Sequence, residues 1–187
     1  YIWLDGYTPE PNLRSKAKIL TCPDDFDPMF DEVPEWSYDG SSTQQADGDF
    51  SDCILKPVKV YYNTMDSNFE SYFVMCEVMN PDGTPHSTNT RSKIKNEDDS
   101  LWFGYEQEYT LMKDGKPLGF PKDGYPEPQG KYYCGVGNNI IRGREFVEEH
   151  MATCIQAGIT VTGINAEVMM GQWEYQVFSQ GVQNAGD

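Results

Sequence analysis

Two glutamates one residue apart stand in the run WFGYEQEYT, residues 102 to 110, set among aromatics and bounded by apolar residues. Side chains of an extended strand alternate between its two faces, so Glu106 and Glu108 point the same way and Gln107 points the other. No other stretch restricts the fold so tightly. Like charges that close are unfavourable: either the face is wet, or one acid keeps its proton, or a cation lies between them.

A second acidic stretch bears on the choice. NAEVMMGQWEYQ carries Glu167 and Glu174, again among apolar and aromatic neighbours. Any one of the four glutamates is explained by a place on the solvent side of an antiparallel sheet. Four carboxylates on buried strands would be very costly unless cations compensate them. Hard oxygen ligands of this kind suit Mg²⁺ or Mn²⁺. In EWSYDGSST, Asp39 stands at the crest of a turn where backbone N–H groups can hold it while it faces a cleft, as a general base must; an ordinary Asp-Gly turn reads the same way. DGDFSD lacks the glycine and the final glutamate of a calcium loop, and CGVGNN lacks the Gly-Lys-Ser/Thr of a phosphate loop. Cys134, His86 and His150 read as structural or surface residues.

Charge narrows the partners. The 187 residues include 30 acidic and 14 basic ones, for a formal charge of −16, and the pI is about 4.3. Such a chain has no basic footprint for nucleic acid and is repelled by an anionic membrane surface. It contains no run of about 18 apolar residues that would make a spanning helix. The five cysteines, Cys22, Cys53, Cys76, Cys134 and Cys154, are scattered without a CxxC pair, as reduced thiols of a cytoplasmic protein would be. The chain opens in YIWLDG with neither an initiator methionine nor a signal-peptide pattern, so its true start is expected to lie upstream.

Along the chain, YIWLDG, LRSKAKIL, DCILKPVKVYY and SYFVMCEVM read as strands, with a loop from Cys22 to Ser51 too long to be idle. The breaker-rich residues 80–100 mark a boundary, and LWFGYEQEYTLM is a further strand. RGREFVEEHMATCIQAG reads as a helix with an apolar stripe of Phe146, Val147, His150, Met151, Cys154 and Ile155 and a C-terminal Gly158. ITVTGINAEVMMGQWEYQVFS returns to extended structure.

Taken together, YIWLDG, EWSYDGSST, WFGYEQEYTLM, GYPEPQGKYYCGVG, GREFVEEHMATC and GINAEVMMGQWEYQ resemble glutamine synthetase of the type II form, in its bacterial branch, in order across the whole chain. The resemblance implies an α+β fold: a β-grasp-like domain over residues 1–80, then over 81–187 the first part of a catalytic domain with a curved antiparallel sheet and flanking helices. It implies ATP-dependent ligation of ammonia to L-glutamate through a γ-glutamyl phosphate, with Mg²⁺ or Mn²⁺ as cofactor and ATP as co-substrate. Glu106, Glu108, Glu167 and Glu174 fall on the family's metal-binding glutamates. Trp102, Glu106, and Glu174 with Tyr175, Gln176, Val177, Phe178 and Ser179 fall on its nucleotide-contacting positions. Asp39 matches the family's base for ammonium, and Asp52 a second acid of that pocket. The resemblance also implies a homo-oligomer of stacked rings with active sites between adjacent subunits, located in the cytoplasm. Family chains are considerably longer, so a C-terminal half with the remaining site residues is expected beyond QGVQNAGD. Other readings are a non-catalytic relative that keeps the assembly, and a glycoside hydrolase using paired carboxylates, which would not depend on ATP.

Overall fold

Alternation of apolar and polar residues is strongest in two long strands, and these organise the first half of the chain. In the computed structural model, which describes residues 1–187, ten strands and two helices follow one another. They are β1 (Ile2–Leu4), β2 (Leu13–Ser15), β3 (Trp36–Asp39), β4 (Asp52–Tyr62), β5 (Tyr72–Met79), β6 (Trp102–Thr110), β7 (Met112–Lys113), β8 (Lys116–Pro117), α1 (Arg144–Gln156), β9 (Val161–Ala166), β10 (Gln172–Gln180) and α2 (Val182–Gly186). Two compact units result, one of residues 1–99 with 181–187 and one of residues 100–180.

The first unit is built on a five-stranded sheet in the order β2-β1-β5-β4-β3. Every pairing is antiparallel except β1 with β5. Cys53 and Leu55 on β4, with Val74, Cys76 and Val78 on β5, share one face by their period of two and join Trp3, Val33 and Tyr38 in the core. Pro57 cannot donate to a ladder, and the register with β5 shifts between Pro57 and Lys59. Asp5 is 2 % exposed and accepts from Tyr7 N, Asn12 N and the Arg14 guanidinium. Of the expected strand LRSKAKIL, only Leu13–Ser15 pairs with β1. Lys16 instead turns over the Trp36 ring, 3.5 Å from its centroid, and donates to Ser37 O. The compact unit runs on through the breaker-rich residues to Asp99, because residues 81–99 pack back on β5: His86 N and Asn89 Nδ2 both donate to Val78 O.

The second unit is a three-stranded antiparallel sheet in the order β6-β10-β9, with α1 packed on β9. Trp173 and Val147 are buried with Ile141 and Ala166, and Trp173 Nε1 donates to Arg142 O at 2.7 Å. The helix has the expected span, and Gly158, at φ 95°, takes the left-handed conformation after its end. Its stripe is only partly used. Val147 is fully buried, whereas Phe146 and Ile155 are more than half exposed and His150 is exposed.

Candidate metal centre

Cross-strand register brings the acids together. Glu174 on β10 lies directly opposite Glu108 on β6 and Asn165 on β9, and Gln176 lies opposite Glu106 and Gly163. Directly opposed residues share a face, so one surface of the sheet carries Glu106, Glu108, Glu174, Gln176 and Asn165. Glu167 joins it from the β9–β10 turn, where its backbone N–H bonds Gln172 O. Carboxylate oxygens of Glu108, Glu167 and Glu174 all lie within 4.8 Å of one another.

Amides set the orientation of each acid. Gln172 Nε2 donates to Glu108 Oε2 at 2.7 Å, Asn165 Nδ2 to Glu167 Oε1 at 3.0 Å, and Gln176 Nε2 to Glu174 Oε1. Gln176 also donates to Asn165 Oδ1 at 2.7 Å. A Cβ at Gly163 would stand 2.5 Å from Gln176 Oε1, so a glycine there leaves room for this amide. Asn165, Gln172 and Gln176 thus hold the acids by spacings of two, N165-x-E167 and Q172-x-E174-x-Q176. Their phase with the glutamates is visible in the sequence, yet of the three only Gln176 stands among the residues singled out there.

Two of the four acids are not buried as expected. Glu106 and Glu108 are exposed because β6 is an edge strand that pairs only with β10, whereas Glu167 and Glu174 are buried. Glu106 stands outside the three-acid cluster, about 7 Å along its strand from Glu108, the repeat between same-face residues. The ion pairs of the structure involve other carboxylates, those of Asp5, Glu77, Glu127, Glu148 and Asp187. Burial raises the proton affinity of Glu167, and its hydrogen bond with Glu174 adds to the rise. Glu174 is shifted the opposite way, chiefly by the Gln176 amide. Two buried acids that converge with Glu108 and have no cationic side chain paired with them suit a divalent ion, because hard oxygen donors meet there without a compensating charge.

Next to the acids the same face turns aromatic. Trp102, 72 % exposed, meets Phe178 edge to face at 5.5 Å. A cleft of ≈ 590 Å³ here is lined by Gly104, Glu106, Thr162, Gln176 and Phe178 and stops short of the three-acid cluster. Tyr175 alternates to the opposite face, where its ring meets His150 at 5.1 Å. Val177 lines the cleft beside the irregular register of β9 and β10, and Ser179 stands opposite Phe103.

In the first unit, Asp39 and Asp52 form the last pair of the β3–β4 ladder and are both exposed. Asp39 caps a 3₁₀ turn over Gly40–Thr43. The Ser41 hydroxyl, at 2.6 Å, and the Ser41 backbone N–H, at 3.0 Å, hold its carboxyl below the usual range, with help from Ser51. Asp39 is therefore an anion at neutral pH.

Comparison with known proteins bears on the chain as a whole. Residues 1–81 match the family described as "Glutamine synthetase, beta-Grasp domain". The whole chain is 54 % identical to a glutamine synthetase of Bradyrhizobium diazoefficiens and covers 54 % of it. It is 50 % identical to one of Rhizobium meliloti, covering 56 %, and 46 % identical to a chloroplastic one of Chlamydomonas reinhardtii, covering 52 %. The chain spans about half the length of these curated relatives.

Proposed function

Since the chain belongs to the glutamine synthetase family, whose N-terminal part it matches, we propose that the whole protein joins ammonia to the side chain of L-glutamate at the expense of ATP. The observation that carries this is the convergence of Glu108, Glu167 and Glu174 within 4.8 Å on one sheet face. These three, with Glu106 two residues away, are the groups that would hold Mg²⁺ or Mn²⁺. Such ions, when bound, supply the positive charge that offsets repulsion between a polyphosphate and the acceptor carboxylate. A pair of acids flanking a sugar would leave the third carboxylate of the cluster without a role.

The chain's own groups have separable tasks. Asn165, Gln172 and Gln176 keep the acids oriented before any ion arrives, which reduces reorganisation on binding. Trp102 and Phe178 offer an aromatic edge beside Glu106 on which a nucleotide base can pack, and the backbone from Glu174 to Ser179 passes along the cleft. The side chain of Tyr175 supports the sheet from behind. Asp39 and Asp52 would hold the ammonium cation and take up its proton; the low proton affinity of Asp39 favours the holding role over that of a strong base. We assign residues 1–80 to the β-grasp domain and 81–187 to the first part of the catalytic domain. The working form is a homo-oligomer of stacked rings in the cytoplasm, with each Asp39 loop completing an adjacent subunit's site.

The test is glutamine formation by the full-length protein, measured with ATP, glutamate and ammonium in the presence of Mg²⁺ or Mn²⁺. Glu108→Gln is expected to reduce it at least about a hundredfold, as loss of a directly ligating charge should. A purified full-length protein that consumes no ATP under these conditions would refute the reading.

A further inference from the structure

Gln45 and His86 are 6 % and 9 % exposed and belong to a polar circuit outside the chemistry assigned above. Only one arrangement of protons satisfies it. A backbone carbonyl can only accept, so the 2.6 Å contact of His86 Nε2 with Gln45 O puts the proton on Nε2. Nδ1 is then an acceptor, bonded by Thr88 N at 3.2 Å and by the Thr88 hydroxyl at 2.8 Å. Thr88 Oγ1 itself accepts from Gln45 Nε2 at 2.9 Å, and the same amide donates to Leu4 O at 3.2 Å. Gln45 Oε1 accepts from the Tyr38 hydroxyl at 2.6 Å. The circuit begins and ends on Gln45.

What it holds is the turn that Asp39 caps. Gln45 follows Gln44, a left-handed residue at φ 57°, and the Gln45 and Ala46 amides both donate to Gly40 O, at 2.9 and 3.2 Å. On the other side Gly6 N donates to Thr43 O at 2.9 Å, and a Cβ at Gly6 would stand 2.3 Å from Gln44 O. The Asp39 backbone ends the β3–β4 ladder, while its carboxyl is held by Ser41 of the turn and by Ser51. The orientation of that carboxylate therefore follows from where the backbone of residues 40–46 is pinned.

We propose that the Gln45–Thr88–His86 circuit is a positioning device for the Asp39 turn: it sets where the ammonium-binding carboxylate stands without touching the substrate. The inference rests on the ammonium role proposed for Asp39. In the full-length protein, Thr88→Val removes the hydroxyl at nearly constant shape, Gln45→Glu replaces the donor to Leu4 O by an acceptor, and Thr88→Ser keeps the circuit.

Two readouts are needed: KM for ammonium, ATP and glutamate separately, and amide hydrogen exchange of the segment 39–46. Thr88→Val and Gln45→Glu are expected to speed exchange there and raise KM for ammonium about tenfold or more, leaving the other two KM values within about twofold; Thr88→Ser should match the parent. Unchanged exchange overturns the proposal, as does faster exchange with an unchanged ammonium KM, or an equal rise in all three. If Gln45→Glu fails to fold, Thr88→Val decides. A parent protein that forms no glutamine sinks the reaction assignment and the ammonium role with it, while exchange still reports whether the circuit pins the turn.

Discussion

Glu174 sits between Glu108 and Asn165 in the ladder and is 8 % exposed, with its carboxylate within 4.8 Å of those of Glu108 and Glu167. Removing that charge at constant shape separates two effects. Without metal, Glu174→Gln relieves like-charge repulsion and should leave the melting temperature equal to or above the parent's. With Mn²⁺ the parent gains stability according to saturation, about 2.7 kcal/mol at a hundred times Kd, and the variant should lose most of that gain. Thermal melts with and without Mn²⁺ measure both. A variant that keeps the full metal-induced shift would show that the cluster is not where the ion binds.

At the scale of elements, exposure decides which side chains of α1 matter. Val147 is fully buried against Ile141, Ala166 and Trp173, and Val147→Ala should cost about 2 kcal/mol, the lost transfer energy plus a small cavity. Phe146 is 55 % exposed, so Phe146→Ala should change stability by less than about 0.5 kcal/mol although it removes the larger group. Denaturant titration of the two variants checks the contrast, and equal losses would mean that the whole stripe is packed. The β9–β10 turn has a different weak point. Gly171 has φ 84°, and a Cβ there would lie 2.6 Å from Leu118 O, so Gly171→Ala should displace the turn between Glu167 and Glu174. It is expected to weaken Mn²⁺ affinity as well as stability, which calorimetric titration would show; loss of stability alone would mean that the turn does not place Glu167.

For the whole molecule, pH acts on two buried acids in opposite senses. Burial alone would raise Asp5, but the Asn12 and Tyr7 amides, the Arg14 guanidinium and the Asn12 side chain hold it at about 2, from 3.8. The stability it contributes is complete above 3.8 and is lost as pH falls through about 2. Glu167 is raised from 4.5, so its contribution is complete below 4.5 and is lost as pH rises through its folded value. The formal charge of −16 adds self-repulsion in the same alkaline direction. Metal-free protein should therefore melt highest in the mildly acidic range, and Mn²⁺ should extend that maximum upward. Melting temperatures from pH 2 to 8, with chelator and with Mn²⁺, test this; identical profiles in both would count against a metal-linked Glu167.

The period of two in strands is a property of the backbone itself, so the sequence alone determined that Glu106 and Glu108 share a face, and the helical run at 144–156 was legible for the same kind of reason. Order and register across the sheet were not legible, because they depend on pairings between β6, β9 and β10, the widest of which sets Trp102 opposite Gln180. Those pairings set Glu174 opposite Glu108, left Glu106 opposite Gln176, and put β6 at the edge where its acids meet water. Likewise the turn at Asp39 could be seen in its Gly-Ser-Ser, but only the fold brought Thr88 and His86 against Gln45. Local spacing decides which side chains can look the same way; long-range packing decides what they face.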